Sequence, residues 1–132
     1  MTTMAAAGRS VPPEFVISVP TPTTMESGRD ALLSLMRRSP RPDAIMFHSE
    51  IPAHGAIMAC LSENISVPGT VAIAGFGDLS LSSLLPVPLT TVRIRARAIG
   101  EQAARLVARR LRGEETEAVV DVGYDIVSRQ SA

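Results

Sequence analysis

The sequence predicts an α/β fold built on a largely parallel sheet. Short β-branched runs alternate with stretches of helical periodicity, and Pro or Gly punctuates the joins. Composition adds that the core is aliphatic: 45% of the 132 residues are hydrophobic, yet only 3% are aromatic and Trp is absent. A chain of this length forms one domain able to bury a core. Thirteen Arg, with no Lys, balance thirteen acidic residues, so no net field draws nucleic acid or an anionic membrane.

The elements follow in order. "EFVISVP" (14–20) reads as a strand stopped by Pro20 and Pro22. "TTMESGRDALLSLMRR" (23–38) reads as a helix with Leu32, Leu35 and Met36 on one face and Arg37 and Arg38 at its favourable C-terminal end. "DAIMFH" (43–48) is a buried-type strand. Ser49 then stands where an N-cap belongs for a helix over 50–63, with Pro52 tolerated in the first turn and an apolar face of Ile51, Ile57, Met58 and Leu61. "VPGTVAIAGF" (67–76) is a turn and a strand, and "PVPLTTVRI" (86–94) is extended because its prolines forbid a helix. "ARAIGEQAARLVARRLRGE" (96–114) is the clearest helix, with a stripe of Ile99, Ala103, Leu106 and Leu111 and a stop at Gly113. One or two strands over 118–130 close the chain. The first thirteen residues read as a flexible leader, without the basic and apolar regions of a secretory signal, and no run reaches the length of a membrane span.

Several motifs imitate chemistry and fail on inspection. Gly75-x-Gly77 after a strand suggests a dinucleotide loop, but the third glycine position is Ser80 and prolines follow before a helix has room to form. His48-Ser49-Glu50, with His54 and Cys60 nearby, imitates a zinc deaminase without the P-C-x-x-C that supplies the thiolates. Cys60 excludes an internal disulfide and reads as a small buried hydrophobe. The arginines of the last helix fit a solvated face, since Glu101 stands four residues from both Arg97 and Arg105 and no aromatic is there to stack a base. No nucleophile elbow is present. These readings expect no catalytic residue, no metal and no cofactor. What remains for the Gly75–Asp78 loop is a plain turn or a ligand loop at the C-terminal end of a parallel strand, where open α/β sheets bind their ligands.

Taken in order, "ESGRDALLSLM", "RPDAIMFHSEIPAHGAI", "ISVPGTVAIAGFGDLSL", "PVPLTTVRIRARAIGEQAARLV" and "VVDVGYDIVSRQSA" resemble the C-terminal part of the LacI/GalR family of transcriptional regulators. The resemblance spans about residues 15–132, and "GFGDLSL" with the "VVDVG" ending is most similar to gluconate-utilisation repressors. It implies a three-layer, parallel-sheet lobe of a periplasmic-binding-protein-like sensor over 14–132, with no counterpart of the helix-turn-helix headpiece, hinge helix or first lobe. The last helix would then lack the surface it normally packs on. The resemblance also implies a cytoplasmic, non-enzymatic protein that senses a sugar or sugar acid, pairs as a homodimer and reaches operator DNA only through the headpiece. A fragment of a periplasmic sugar-transport protein is the alternative.

Position by position, the resemblance places the ligand site at Thr23, Ser49, Gly77 and Asp78. Thr23 falls near a position that often holds a stacking aromatic, and Ser49 falls where the family has a cleft Asn or Asp. Gly77 takes the place of the first Asp of the family's G-[FY]-D-D, and Asp78 is the second. A desolvated Asp would repel an aldonate, so Gly77 suits an acidic ligand and frees backbone N–H groups to face it. A neutral ligand, with Gly77 a product of drift, stays open.

Overall fold

A computed structural model describes residues 6–19 and 21–132. Its sheet is formed by β1 (Ala44–Met46), β2 (Ala72–Gly77), β3 (Thr90–Ile94) and β4 (Tyr124–Val127), side by side in chain order. The first three strands are parallel, and β4 returns antiparallel to β3 with Val92 opposite Ile126. This is the predicted α/β architecture with a mostly parallel sheet. A single strand, not two, closes the chain.

Helix α1 (Met25–Met36) starts in a capping box: the Thr24 hydroxyl accepts from the Ser27 N–H, and the Ser27 hydroxyl accepts from the Thr24 N–H. The predicted face turns inward, with Leu32 and Leu35 buried and Met36 packed against the core. Helix α2 (Glu50–Ser62) lies beside it on the same face of the sheet. Here the expected face of α2 is corrected. Ile57 is buried, but Ile51, Met58 and Leu61 are exposed, and the inward side carries Pro52, Ala53, His54, Gly55, Ala56, Ala59 and Cys60.

The reason is the closeness of the two helices. A Cβ on Gly28 of α1 would stand 1.9 Å from the Pro52 carbonyl oxygen, and one on Gly55 of α2 would stand 1.9 Å from the Met25 carbonyl oxygen. The helices meet backbone to backbone, so small residues occupy the seam and large ones are turned out.

Leu32, Ala53, Ala56, Ile57, Cys60, Val71, Ile73, Leu85 and Leu89 make the core between this helical layer and the sheet. Burial among apolar side chains pushes the Cys60 thiol up to about 11, consistent with an inert packing role. The tail is stitched in: the buried Ser131 hydroxyl donates to the Ile73 carbonyl at 2.6 Å, and the Thr90 N–H donates to that hydroxyl at 2.8 Å.

The opposite face of the sheet stays open within the described residues, exposing Met46, Phe76, Ile94, Tyr124 and Ile126. Helix α3 (Ala96–Leu111) follows β3 and buries none of its residues; Ile99 and Leu111 of its stripe face solvent. The third layer is therefore not closed by these residues. Arg97 pairs with Glu101 at 2.9 Å as the four-residue spacing predicts, and Gly113 ends the helix region at φ +78.

Another correction concerns residues 14–20. Pro13–Phe15 form a 3-10 turn, and residues 16–19 pair with no strand; Pro20 lies outside the described residues. β-Branched character makes the segment extended, but a strand also requires a free edge to pair with.

Candidate functional site

Parallel strands that all point the same way collect their C-terminal ends at one edge of the sheet. Ser49 follows β1, Gly77 and Asp78 end and follow β2, and Arg93 is near the end of β3 with its Cα opposite that of Gly77. Thr23, just before α1, joins the row: its hydroxyl oxygen is 3.5 Å from that of Ser49. All four sequence-predicted residues are partly buried at this edge, which suits groups that face a ligand from a supporting layer.

Ser49 is the positional N-cap of α2, but its side chain makes no capping bond. The hydroxyl expected to cap the helix instead faces Thr23. Both oxygens sit at the helix N-terminus, where a ligand hydroxyl would find a donor and an acceptor together.

The loop after β2 is held from beneath. Gly77 has φ +136, a backbone region that residues with a Cβ rarely adopt, and Asp78 has φ +58. The amides that follow Gly77 are not free to face a ligand, which corrects the expectation drawn from the sequence. The Asp78 N–H donates to Glu50 Oε1 at 2.6 Å, and the Leu79 N–H donates to Glu50 Oε2. The nest already contains an anion, and the protein supplies it.

Glu50 is 2% exposed and also accepts from the Thr91 hydroxyl at 2.6 Å and the Ser82 hydroxyl at 2.7 Å. Burial pushes its carboxyl up, but these four hydrogen bonds outweigh burial and hold it below its ordinary value. His54, one turn along α2, places Nε2 2.8 Å from Ser82 Oγ and 3.8 Å from Glu50 Oε2. Burial lowers the His54 pKa against the opposing pull of Glu50. With the Ser82 proton directed to Glu50, His54 serves as donor to Ser82.

Ser82, His54 and Glu50 superficially form a serine–histidine–carboxylate set. All three are buried, Ser82 completely, and the serine proton is aimed at the carboxylate, so no substrate carbonyl reaches the hydroxyl. The arrangement is structural. His48 is exposed while His54 is buried in this network, and no group of three possible metal ligands comes together among the described residues.

Asp78 is the fourth predicted residue, and its carboxylate is already engaged. Oδ1 accepts from Arg129 Nη2 at 2.6 Å and Oδ2 from Arg93 Nε at 2.5 Å. Partial burial raises its pKa, but Arg129 and Arg93 prevail and hold it below its usual value. Arg129 is well covered and also donates to the Leu89 carbonyl; the Arg93 side chain is 50% exposed. Among the described residues the two terminal nitrogens of Arg93 carry no hydrogen bond, so Arg93 offers unspent donors at this edge of the sheet.

Sequence reading missed Arg93 and Arg129, and met Glu50 only as part of a false metal motif. One signal was available: Glu50 is the only carboxylate in a helix whose other residues are apolar apart from His54 and Ser62. An acid in the first turn is ordinarily solvated and matched to the helix dipole, which hid its role.

The three shifted groups give one pH prediction. His54, Glu50 and Asp78 all have folded pKa values below their unfolded ones, so each favours folding above its unfolded pKa and loses that contribution as pH falls through its folded value. Thermal melts are expected to hold steady above about pH 6.5, decline modestly below it as His54 must charge, and fall steeply below about pH 4 as the carboxylates protonate. A melting temperature rising between pH 6 and pH 4 would contradict this.

Three parallel strands that end at one edge, with the loop after β2 pinned there, give the layout in which open α/β sheets hold their ligands. The family model for a periplasmic binding protein-like domain matches residues 2–132, and the chain belongs to that family. Its relatives are LacI-family transcriptional regulators. It is 28% identical over 120 residues to the HTH-type transcriptional regulator GntR of Pseudomonas aeruginosa, covering 90% of this chain and 35% of that one. It is 34% identical over 107 residues to the lactose operon repressor of Rhizobium radiobacter, covering 81% of this chain and 95% of that protein. The solved complex of transcriptional regulator CelR with cellobiose superposes with a TM-score of 0.84 at 28% identity, over 99% of this chain and 40% of that chain. The chain thus spans about a third of the GntR regulator and two fifths of the CelR chain. No helix among the described residues is long and apolar enough to cross a membrane.

Proposed function

We propose that this chain is the effector-sensing lobe of a cytoplasmic, homodimeric LacI-type transcriptional regulator, and that its effector is a sugar acid of the gluconate type. The observation that carries the reading is the row of Thr23, Ser49, Gly77, Asp78 and Arg93 along the C-terminal edge of the parallel strands. Thr23 and Ser49 supply hydroxyls for sugar hydroxyls. Arg93, with Nε spent on Asp78, supplies the terminal donors for a carboxylate, a geometry a guanidinium matches well. Gly77 keeps an additional carboxylate away from that charge.

In this reading ligand closure over the edge shifts a two-state equilibrium that an operator-binding headpiece reads out. Similarity to GntR regulators and to the CelR–cellobiose complex supports the ligand class. The test is a titration of the chain with gluconate and with glucose, followed by amide chemical shifts so that weak binding registers. Gluconate is expected to move the Ser49, Gly77 and Asp78 amides at lower concentration than glucose. Tighter glucose binding overturns the sugar-acid assignment, and silence with both sugars overturns the ligand edge.

A further inference from the structure

We propose that Glu50 is a positioning residue for ligand recognition: one buried carboxylate holds the Asp78 and Leu79 amides and so sets where Gly77, Asp78 and Arg93 meet a bound molecule. The inference rests on the proposed ligand edge for its functional half. Its structural half stands on geometry alone.

Glu50 leaves α2 in the first turn, yet its four donors come from elsewhere in the chain. Two are consecutive backbone amides after β2, one is the Ser82 hydroxyl in the 3-10 turn Ser80–Ser83, and one is the Thr91 hydroxyl on β3. Successive amides that converge on one side make an anion-binding nest. Here that nest is part of the same loop that bears the ligand-facing residues.

The hold on Asp78 is double. Its amide is fixed by Glu50 and its side chain by Arg93 and Arg129, so the position of Arg93 depends on the loop conformation that Glu50 enforces. A carboxylate is required, not merely a polar group. Each Glu50 oxygen faces one backbone N–H, and a carboxamide would turn an NH2 toward one of them, donor against donor. The hydroxyls of Ser82 and Thr91 can rotate to adapt, whereas the amides cannot.

The test compares the wild-type chain with Glu50→Gln. Amide exchange at Asp78 and Leu79 is expected to accelerate at least tenfold relative to Ile73, whose amide donates to the Ser131 carbonyl away from this network. Gluconate affinity is expected to fall at least fivefold in the same variant under folding conditions. Equal acceleration at Ile73 would reduce Glu50 to general stability and overturn the proposal, as would local acceleration with unchanged affinity.

A measurement on the wild-type chain covers a variant that fails to fold: the Asp78 and Leu79 amide protons should stand clearly downfield, as hydrogen bonds to a carboxylate require. Either proton at its random-coil position overturns the assignment. A wild-type chain that binds neither sugar removes the proposed function, and the exchange ratio, read without ligand, then decides the Glu50 assignment alone.

Discussion

Gly55→Ala is expected to lower the folding stability of the chain by about 3 kcal/mol or more, at the upper end of overpacking costs. Intrinsic helix propensity points the other way, favouring Ala over Gly by roughly 1 kcal/mol. Sterics win because the added methyl would stand 1.9 Å from the Met25 carbonyl oxygen and 2.5 Å from its carbon. Neither is the far end of a flexible side chain. The helices must separate, and separation opens the layer containing Leu32 and Ile57, both completely buried.

Against a typical total of about 5–15 kcal/mol, a loss of that size is readily measured in a denaturant melt. Gly28→Ala should behave alike, since its Cβ meets the Pro52 backbone across the same seam. The double variant should cost less than the sum, because one separation relieves both contacts. A Gly55→Ala chain as stable as wild type would mean the helices do not touch through their backbones.

Gly77→Asp restores the residue the family usually carries and is nevertheless expected to destabilise this chain, by about 2–4 kcal/mol at pH 7. Space is not the obstacle: a Cβ there would stand 3.7 Å from Glu50 Cγ, an ordinary contact. Two other terms oppose it. The φ of +136 strains any residue with a side chain, and the new carboxylate would grow from a Cβ that stands 3.9 Å from the Glu50 carboxyl carbon.

Gly77→Ala separates the terms, because it carries the strain without the charge. The extra loss of Asp over Ala should shrink as pH falls toward the carboxylate range, since protonation removes the repulsion. Equal losses at pH 7 would show that Glu50 does not exclude a carboxylate at this position. The comparison bears on function as well. Under the proposed sugar-acid reading Gly77 accommodates an acidic effector as well as the internal Glu50 carboxylate, so a Gly77→Ala chain should favour gluconate over glucose whereas Gly77→Asp should not.

Much of this lobe was legible in the sequence. The order of strands and helices from residue 23 onward, the inner face of α1, the closing glycine of α3 and the place of the Gly75–Asp78 loop at a strand end follow from local periodicity, turn residues and ordered family motifs. Those signals act over a few residues and survive translation into structure. Three features were not legible, each for a definite reason. Helix α2 is apolar nearly all round, so periodicity could not say which side faced inward, and its large residues misled. The segment 14–20 has strand composition but no strand beside it among the described residues.

Glu50 is the sharpest case. By itself the sequence determined the alternation of elements, the aliphatic core and the family to which the chain belongs. Only the tertiary structure decided that a first-turn acid is buried and that four donors, 28 to 41 residues away, converge on it. Local patterning reports which face of a segment prefers water. It does not report which distant backbone amides a fold will turn toward one carboxylate, because that depends on how separate strands and loops are brought together at the edge of the sheet.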